Sequence, residues 1–239
     1  MPKDASSERR VLAILHQRDA TPGRLGQLLR AQGFALDCRR PVFGDPLPET
    51  LRSYAGAIIF GGSMSVNNND AWLRREIDWI AVPLKERAPF IGICLGAQML
   101  ARHLGQCVKP HPKGRVEIGY FPVRPTEKGH RLCECPFPGH VYQWHREGFE
   151  LPHGAALLAS GQDFATQAFC FADRAFGFQF HPEVTFTTVC RWAFLTRERL
   201  TEPGAHPRHR HVEGWFRHDA AVARWLGAFL RRWLCARTG

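Results

Sequence analysis

The sequence predicts a doubly wound α/β fold, with a mostly parallel sheet, helices on both of its faces and a small antiparallel flank. Over the first half of the chain, short apolar runs of strand length alternate with segments of helical periodicity. Farther along, the pattern changes to brief β-like runs between proline- and glycine-containing turns. The length of 239 residues suits one such domain, although length alone would also allow two small ones.

The first unit begins with a compact apolar run, Val11–Leu15, which has the length and composition of a strand. Thr21-Pro22 is a suitable cap and first turn for a helix, and leucines at helical spacing follow it. Ala35–Cys38 predicts a short second strand. Ala55–Phe60 is a near-continuous apolar run, which is typical of a strand buried on both faces of a parallel sheet.

The pattern of strand and helix then repeats. Asp70 can cap a helix that continues to Leu84, with Pro83 expected to kink or shorten it. Pro89–Ile93 predicts the next buried strand, and Leu95–Leu104 predicts the helix that follows it. In a sheet built this way, ligands bind beyond the carboxyl ends of the strands.

The second half of the chain contains shorter β-like runs, which we expect to form an antiparallel flank on the main sheet: Glu117–Val123, His140–Trp144 and Thr166–Ala172. Helical periodicity returns around Val189–Leu200 and again around Ala220–Leu234, with a polar connection between them. We therefore expect a flavodoxin-like three-layer architecture. Without an internal repeat or a second-domain boundary, the sequence predicts a single domain over residues 1–239, with a core of about 11–200 and a C-terminal helical extension of about 201–239.

The formal net charge of +10 would suit a protein that binds nucleic acid. The arginines are spread along the chain, however, and the densest basic cluster, residues 206–211, lacks the aromatic residues of a single-strand platform and any helix-turn-helix pattern. We interpret the charge as a solvated surface and expect no nucleic-acid partner. His206, His209 and His211 suggest a metal site, but their spacing, broken by arginine in a predicted loop, favours a polar surface.

The chain also carries few signs of membrane insertion or export. No apolar run approaches the roughly 18 residues needed to cross a bilayer. The segment Met1–Arg10 is polar and charged, and Val11–Leu15 is too short for the core of a signal peptide. The eight cysteines lie at unequal intervals, which favours reduced thiols over disulfides. These features predict a cytoplasmic protein with no membrane partner.

A candidate nucleophile lies where a predicted buried strand ends and a helix begins, in the segment Gly92-Ile93-Cys94-Leu95-Gly96-Ala97-Gln98. A nucleophile on a sharp strand-to-helix turn has a strained backbone, and glycines two residues to either side relieve the crowding there. The start of the helix favours a thiolate and offers backbone N–H groups to an oxyanion. Most free cysteines are simply small core residues, but this context predicts that Cys94 is reactive.

A candidate base lies in Gly177-Phe178-Gln179-Phe180-His181-Pro182-Glu183, again after an apolar, strand-like run. Pro182 favours an extended backbone at His181, so that His181 and Glu183 lie on the same side of the chain. Glu183 would accept the Nδ1 proton of His181 and leave Nε2 to take the thiol proton. A lone histidine and glutamate usually form an ordinary surface pair, but strand ends meet at one edge of a doubly wound sheet, which would bring this pair to Cys94.

These two segments resemble the nucleophile and base motifs of class I glutamine amidotransferases, especially the glutaminase domain of GMP synthases and its stand-alone relatives. The resemblance extends from about Val11 to about Leu200. It implies that Cys94 is the nucleophile and that His181 and Glu183 are its base and acid. It also implies a set of substrate-binding residues, in which the backbones of the glycine pair and of Leu95 form the oxyanion hole: Gly61, Gly62, Leu95, Gln98 and His145.

The resemblance further implies a reaction in which Cys94 attacks the γ-carboxamide of glutamine or of a γ-glutamyl amide. Ammonia or an amine leaves, water hydrolyses the γ-glutamyl thioester, and neither a metal nor another cofactor is implied. Two departures from the family pattern occur, at Ser63, where proline is common, and at Trp144–Glu147, in place of a Ser-His-Gly-Asp segment. Both fall where selectivity for the leaving group would be set, which favours a hydrolase that acts alone on a γ-glutamylated amine or peptide.

Three alternatives remain open. The chain has no glycine-rich phosphate-binding loop with lysine, so a separate synthetase subunit would have to use the ammonia if the chain is a glutaminase subunit. A related intracellular peptidase and chaperone group also has cysteine on such a turn, but it lacks the His-Pro-Glu segment. A non-catalytic binding module on the same fold is disfavoured by the intact Cys94, His181 and Glu183.

Overall fold

The computed structural model describes residues 9–235, so that residues 1–8, which include most of the segment used above to judge export, and residues 236–239 lie outside the description. In chain order the elements are β1 (Arg10–Ile14), α1 (Gly23–Ala31), β2 (Ala35–Arg39), β3 (Gly56–Ile59), α2 (Ala71–Trp79), α3 (Ala81–Lys85), β4 (Phe90–Ile93), α4 (Leu95–His103), β5 (Val108–Pro110), β6 (Glu117–Pro122), β7 (Arg124–Pro125), α5 (Glu127–His130), β8 (His140–His145), β9 (Glu147–Phe149), β10 (Ala156–Ser160), β11 (Ala168–Phe171), β12 (Ala175–Phe178), α6 (Phe186–Leu195) and α7 (Arg208–Cys235). Short 3₁₀ helices occur at Pro41–Phe43 and Arg197–Thr201.

An eight-stranded sheet in the order β2-β1-β3-β4-β12-β11-β10-β7 forms the centre of the fold. The strands from β2 to β12 in this order pair in parallel, and β11, β10 and β7 add an antiparallel flank. Parallel strands need crossovers, which α1, α2 and α4 provide after β1, β3 and β4. The predicted fold class is thereby confirmed.

The hydrophobic core lies on both faces of this sheet, because successive residues of a strand point to opposite sides. On one face, Val11 and Ala13 of β1 belong to a cluster that includes residues of α1 and α7. On the other face, Leu12 and Ile14 belong to a cluster that includes residues of α2 and α4. Helix, sheet and helix thus form the three predicted layers. No helix within residues 9–235 is long and apolar enough to span a membrane.

The placement of two predicted flank strands was wrong. The runs 117–123 and 140–144 do not join the main sheet, but pair with each other as the separate antiparallel ribbon β6–β8. The reason is the apolar surface on which they pack: Tyr120 and Tyr142 of the ribbon form a small core with Val184 and Val189, next to α7. Only the third run, which contains β11, lies in the flank of the main sheet.

The helices differ from the sequence predictions mainly at their ends. The helix predicted from Asp70 to Leu84 is divided at Ile80 into α2 and α3, which agrees with the break expected from Pro83. The helix predicted over residues 189–200 begins earlier, at Phe186, and becomes a 3₁₀ turn after Leu195.

The predicted loop through residues 206–211 was also wrong, because α7 already begins at Arg208. Pro207 immediately precedes the helix, where its fixed φ and missing N–H are well tolerated. His211 is completely buried, its Nδ1 lies 3.0 Å from the hydroxyl of Tyr142, and its Nε2 lies 2.9 Å from the carbonyl oxygen of His206. The basic cluster is therefore only partly a solvated surface.

Candidate active site

A cleft of about 870 Å³ opens at the carboxyl edge of the parallel strands. Cys94 follows β4 directly, His181 follows the end of β12, and Gly61 follows β3. All three residues line the cleft. The topology therefore places the sequence-predicted motifs at one edge of the sheet, as the doubly wound fold requires.

Cys94 has a strained backbone at the β4–α4 turn, with φ 49° and ψ −104°. A Cβ at Gly96 would lie 2.1 Å from the carbonyl oxygen of Ile59, and a Cβ at Gly92 would lie 2.4 Å from that of Gly96. Neither position can hold a side chain without moving backbone. The N–H of Cys94 donates a 2.7 Å hydrogen bond to the carbonyl of Phe178 in β12, which ties the turn to the strand that leads to His181.

Helix α4 begins at Leu95, immediately after Cys94. The first amides of a helix have no partner within the helix, and its positive dipole end favours an anion. The carbonyl of Cys94 accepts the first helical bond, from the N–H of Gln98, at 3.0 Å. Leu95 itself is almost completely buried and does not line the cleft.

His181 and Glu183 form a buried pair, in which Nδ1 of His181 lies 2.8 Å from Oε1 of Glu183. The N–H of His181 donates to the carbonyl of Tyr142 at 2.8 Å, and the indole of Trp192 meets the imidazole edge-on with ring centroids 5.0 Å apart. Glu183 and Trp192 thus hold the imidazole, and the N–H bond anchors the backbone of His181 to β8. Cys94 is its neighbour at Gly61, where one added Cβ would lie 2.8 Å from Cε1 of His181 and 3.5 Å from Cβ of Cys94.

The environment of His181 strongly favours its charged form. Burial lowers the pKa of this histidine, but the negative charges of Glu183 and Cys94 and the hydrogen bonds to both groups outweigh burial and raise the pKa to about 10. This environment therefore favours a protonated imidazole next to the sulfur of Cys94.

Gly61 and Gly62 pass so close to their surroundings that a side chain at either position would displace a neighbouring group. A Cβ at Gly61 would lie 2.8 Å from Cε1 of His181 and 3.5 Å from Cβ of Cys94. A Cβ at Gly62 would lie 2.8 Å from Cδ2 of Leu95. The backbone of the glycine pair therefore forms a wall of the cleft directly beside the thiol.

Gln98 and His145 also line the cleft, but their polar atoms bind protein groups. Nε2 of Gln98 donates to the carbonyl of Glu147 at 3.0 Å, and Nδ1 of His145 lies 3.0 Å from the same oxygen. Nε2 of His145 lies 3.0 Å from Oε2 of Glu117. The two side chains together hold the backbone at Glu147, and this geometry supports a role in shaping the cleft.

Sequence reasoning missed two features of the site. Gln179 is fully buried, and its Nε2 lies 3.8 Å from Sγ of Cys94. In the sequence, an amide inside the apolar run before His181 was the feature that could have indicated this contact. His16 contacts the carbonyl of Gly61. Its position just after β1, at the same edge of the sheet as Cys94, could have indicated that it lies near the site.

The histidines of the basic cluster lie apart from this chemistry. His206 stacks on Phe121 with ring centroids 4.4 Å apart, His211 is buried against Tyr142, and His209 is exposed. Within residues 9–235, no group of three or more histidine, cysteine, aspartate or glutamate side chains has an arrangement suited to a metal ion.

The sequence profile of the family described as "Glutamine amidotransferase class-I" matches residues 25–192 of this chain. The glutamine amidotransferase-like protein YfeJ of Salmonella typhimurium is 28% identical over 188 residues, which cover 75% of this chain and 78% of that protein. The glutamine-hydrolysing GMP synthase of Neisseria gonorrhoeae is 32% identical over 177 residues, which cover 71% of this chain. This chain spans only 32% of the length of that synthase.

Two crystal structures are similar over almost the whole chain. The glutamine amidotransferase of Methylobacillus flagellatus superposes with a TM-score of 0.89 at 26% identity, covering 96% of this chain and 95% of the other. A glutamine amidotransferase of Thermotoga maritima superposes with a TM-score of 0.83 at 30% identity, covering 95% of this chain and 98% of the other.

Proposed function

Because this chain belongs to the class I glutamine amidotransferase family, we propose that it cleaves the γ-amide bond of glutamine or of a γ-glutamyl amide through a thioester on Cys94. The observation that carries the proposal is the buried His181–Glu183 pair, which lies beside Cys94 on the strained β4–α4 turn. A nucleophile, a proton donor and an orienting carboxylate in contact suit acyl transfer from an amide.

The thiolate of Cys94 attacks the γ-carbonyl carbon, and the carbonyl oxygen becomes an oxyanion. The N–H of Leu95, at the start of α4, and the backbone of the glycine pair receive this oxyanion. The imidazolium of His181 gives a proton to the leaving nitrogen, so that ammonia or an amine departs and the γ-glutamyl thioester remains. The neutral imidazole then takes a proton from water, the water attacks the thioester, and glutamate and the thiolate–imidazolium pair are released.

The size of the cleft supports a substrate larger than glutamine. Its volume of about 870 Å³ lies toward the upper end of the roughly 300–1,000 Å³ of small-molecule sites. Ser63 and the segment 144–147, the two departures from the family pattern, line it together with Trp192 and Arg191. We therefore propose that the enzyme acts alone on a γ-glutamylated amine or peptide and that these residues contact the leaving group.

The similarity to GMP synthases supports a second candidate, a glutaminase subunit that delivers ammonia to a separate synthetase. Residues 1–239 span about a third of the length of the Neisseria synthase, and in this candidate the synthetase chemistry lies outside them. The two candidates share the site and differ in the acceptor of the nitrogen.

The test is glutamate release by the purified chain from glutamine and from a panel of γ-glutamyl amines and peptides. A solitary hydrolase should show a higher kcat/KM on at least one bulky amide than on glutamine, and Cys94→Ala should abolish all turnover. If every bulky amide is poorer than glutamine and a co-purified synthetase-like protein raises kcat about tenfold, a barrier change of about 1.4 kcal/mol, the subunit candidate replaces the first. A chain that is inactive on every amide, both alone and with the synthetase-like protein, contradicts both candidates.

A further inference from the structure

Behind the glycine pair lies a completely buried ion pair that the proposed chemistry does not use. His16, just after β1, lies with Nε2 2.9 Å from Oε2 of Glu76 in α2, and both side chains are fully buried. The indole of Trp72 covers the imidazole, with ring centroids 5.8 Å apart. Nδ1 of His16 lies 3.0 Å from the carbonyl oxygen of Gly61.

The proton positions in this group follow from its partners. A carbonyl oxygen can only accept, so Nδ1 of His16 carries a proton and donates it to Gly61. Burial lowers the pKa of His16, but the charge and hydrogen bond of Glu76 and the bond to Gly61 outweigh burial and raise it. A buried pair of this kind adds little net stability, because desolvation offsets the attraction between its charges.

The bond to Gly61 also sets the direction of a neighbouring N–H. The carbonyl of Gly61 and the N–H of Gly62 belong to one planar peptide unit, and no peptide bond within residues 9–235 is cis. Because the carbonyl points to His16, the N–H of Gly62 points the opposite way. Two successive glycines leave the rotation of this unit unrestricted by side chains, so the hydrogen bond from His16 can set its orientation.

We propose that His16, held in place by Glu76, is a positioning residue that keeps the Gly61–Gly62 peptide in the orientation in which the N–H of Gly62 receives the oxyanion. The proposal rests on the proposed function, because an oxyanion forms only if Cys94 attacks a carbonyl. The close approach of Gly61 to Cys94 and His181 puts this peptide next to the reacting sulfur.

The experiment compares two double variants, chosen so that no charge is left buried alone. His16→Leu with Glu76→Leu removes the pair and the bond to Gly61, whereas His16→Asn with Glu76→Leu keeps a donor at the position of Nδ1. We expect kcat for amide cleavage to fall about 100-fold or more in the leucine pair, with KM changed by less than about threefold, since loss of one oxyanion donor costs about 10²–10³ in kcat. The asparagine variant should recover most of this loss.

Alkylation of Cys94 by iodoacetamide distinguishes a positioning role from a general structural role, because a general structural defect would slow both alkylation and amide cleavage. This reaction consumes the thiolate without forming an oxyanion, so its rate should stay within about twofold of the wild type in both variants. Unchanged kcat in the leucine pair, or an equal loss of alkylation and amide cleavage, would overturn the proposal.

A wild-type chain that cleaves no amide would instead mean that the proposed function has failed. The positioning role then depends on crystal structures of the wild type and the leucine pair. A rotated Gly61–Gly62 peptide in the variant supports that role, and an unchanged peptide contradicts it.

Discussion

The proton affinity of His181 depends on a balance of opposing neighbours. Burial acts to remove the proton, and the charges and hydrogen bonds of Glu183 and Cys94 retain it, which raises the pKa to about 10. In the proposed reaction, this proton is the one that passes to the leaving nitrogen. Glu183 would then act on the substrate only through the histidine, as a positioning residue with an electrostatic contribution.

Glu183→Gln should lower the maximal rate and also move the pH profile. With the carboxylate charge removed and the imidazole still buried, the pKa of His181 falls, so the loss of activity at high pH should begin at a lower pH than in the wild type. We expect kcat to fall about 10- to 100-fold, whereas His181→Ala should lower it by about 10³ or more. Steady-state kcat/KM between pH 6 and 11 measures both effects.

The exposed residue Glu150 offers the control for this experiment, because Glu150→Gln makes the same chemical change away from the histidine. An alkaline limb at the same pH in Glu183→Gln and in the wild type would show that Glu183 does not support the charge of His181.

Among single residues, the sequence could predict only the contacts between residues that lie close together in the chain. The pairing of His181 with Glu183 follows from an extended backbone two residues long, and the turn at Cys94 follows from flanking glycines, so both were predictable. The contact between His16 and Glu76 joins residues 60 positions apart, and nothing in the local pattern of either segment specifies it. The amide of Gln179 is likewise directed at Cys94 by strand pairing, across 85 positions.

Among the elements, α7 is distinctive for the histidines that pack it against the β6–β8 ribbon. His218 of α7 stacks on His140 of β8, with ring centroids 4.1 Å apart and an interplanar angle of 8°. Burial lowers the pKa of both, and in His218 the neighbouring His140 and Arg217 lower it further. Burial also lowers the pKa of His206 and His211. The contact between helix and ribbon therefore favours neutral imidazoles.

This contact should weaken in mild acid. A histidine whose folded pKa lies below its unfolded pKa binds its proton more readily when unfolded, so its stability contribution is complete above the unfolded pKa and is lost as the pH falls through it. His16 and His181, with raised pKa values, act in the opposite direction. The net pH dependence of the whole protein mixes both effects, and a single substitution separates them. His218→Gln should show a smaller drop in the free energy of unfolding between pH 7.5 and 5.5 than the wild type.

Chemical denaturation at several pH values measures this free energy, and His153→Gln, at an exposed histidine, serves as the matched control. An equally steep drop in the His218→Gln protein would mean that the stacked pair does not govern the pH dependence of stability.

The wrong predictions for the β6–β8 ribbon and for the start of α7 have a common cause. The runs that became β6 and β8 are as short and β-like as flank strands, and their separation from the main sheet depends on distant partners such as Val184 and Val189. The composition of residues 206–211 is that of a loop, yet Tyr142 and the carbonyl of His206 provide His211 with buried hydrogen-bond partners. Tertiary contacts therefore outweighed local composition in both segments.

In the molecule as a whole, α7 shares the core of the parallel sheet. Trp225 is completely buried, stacks on Phe229 with ring centroids 5.4 Å apart, and contacts Phe178 and Phe180 just before His181. From the sequence we expect a single domain in which residues of about 201–239 form a helical extension of the core. We propose that residues 9–235 fold as one cooperative unit in which α7 supports β12, the strand that leads to His181.

Truncation and substitution test this unit. A chain that ends at Leu200 should lack a cooperative unfolding transition, because removal of α7 exposes the aromatic face of the sheet. Trp225→Ala in the full chain should lower the free energy of unfolding by about 3–5 kcal/mol, as for other buried aromatic residues. Phe216→Ala, at a residue of the same helix that is 75% exposed, should change it by less than about 0.5 kcal/mol. A shortened chain that still unfolds cooperatively would show that the core folds without α7.

The glycines around Cys94 also affect how related sequences should be compared. A Cβ at position 92 or 96 would approach a carbonyl oxygen to 2.4 or 2.1 Å, so glycine is required there by the packing of the β4–α4 turn, whatever side chain stands between them. A descendant that had lost all activity would still need both glycines to fold. In an alignment of homologues, the glycine spacing therefore marks shared ancestry of the turn, whereas we expect the joint presence of Cys94, His181 and Glu183 to distinguish working enzymes from relatives that have become binding proteins.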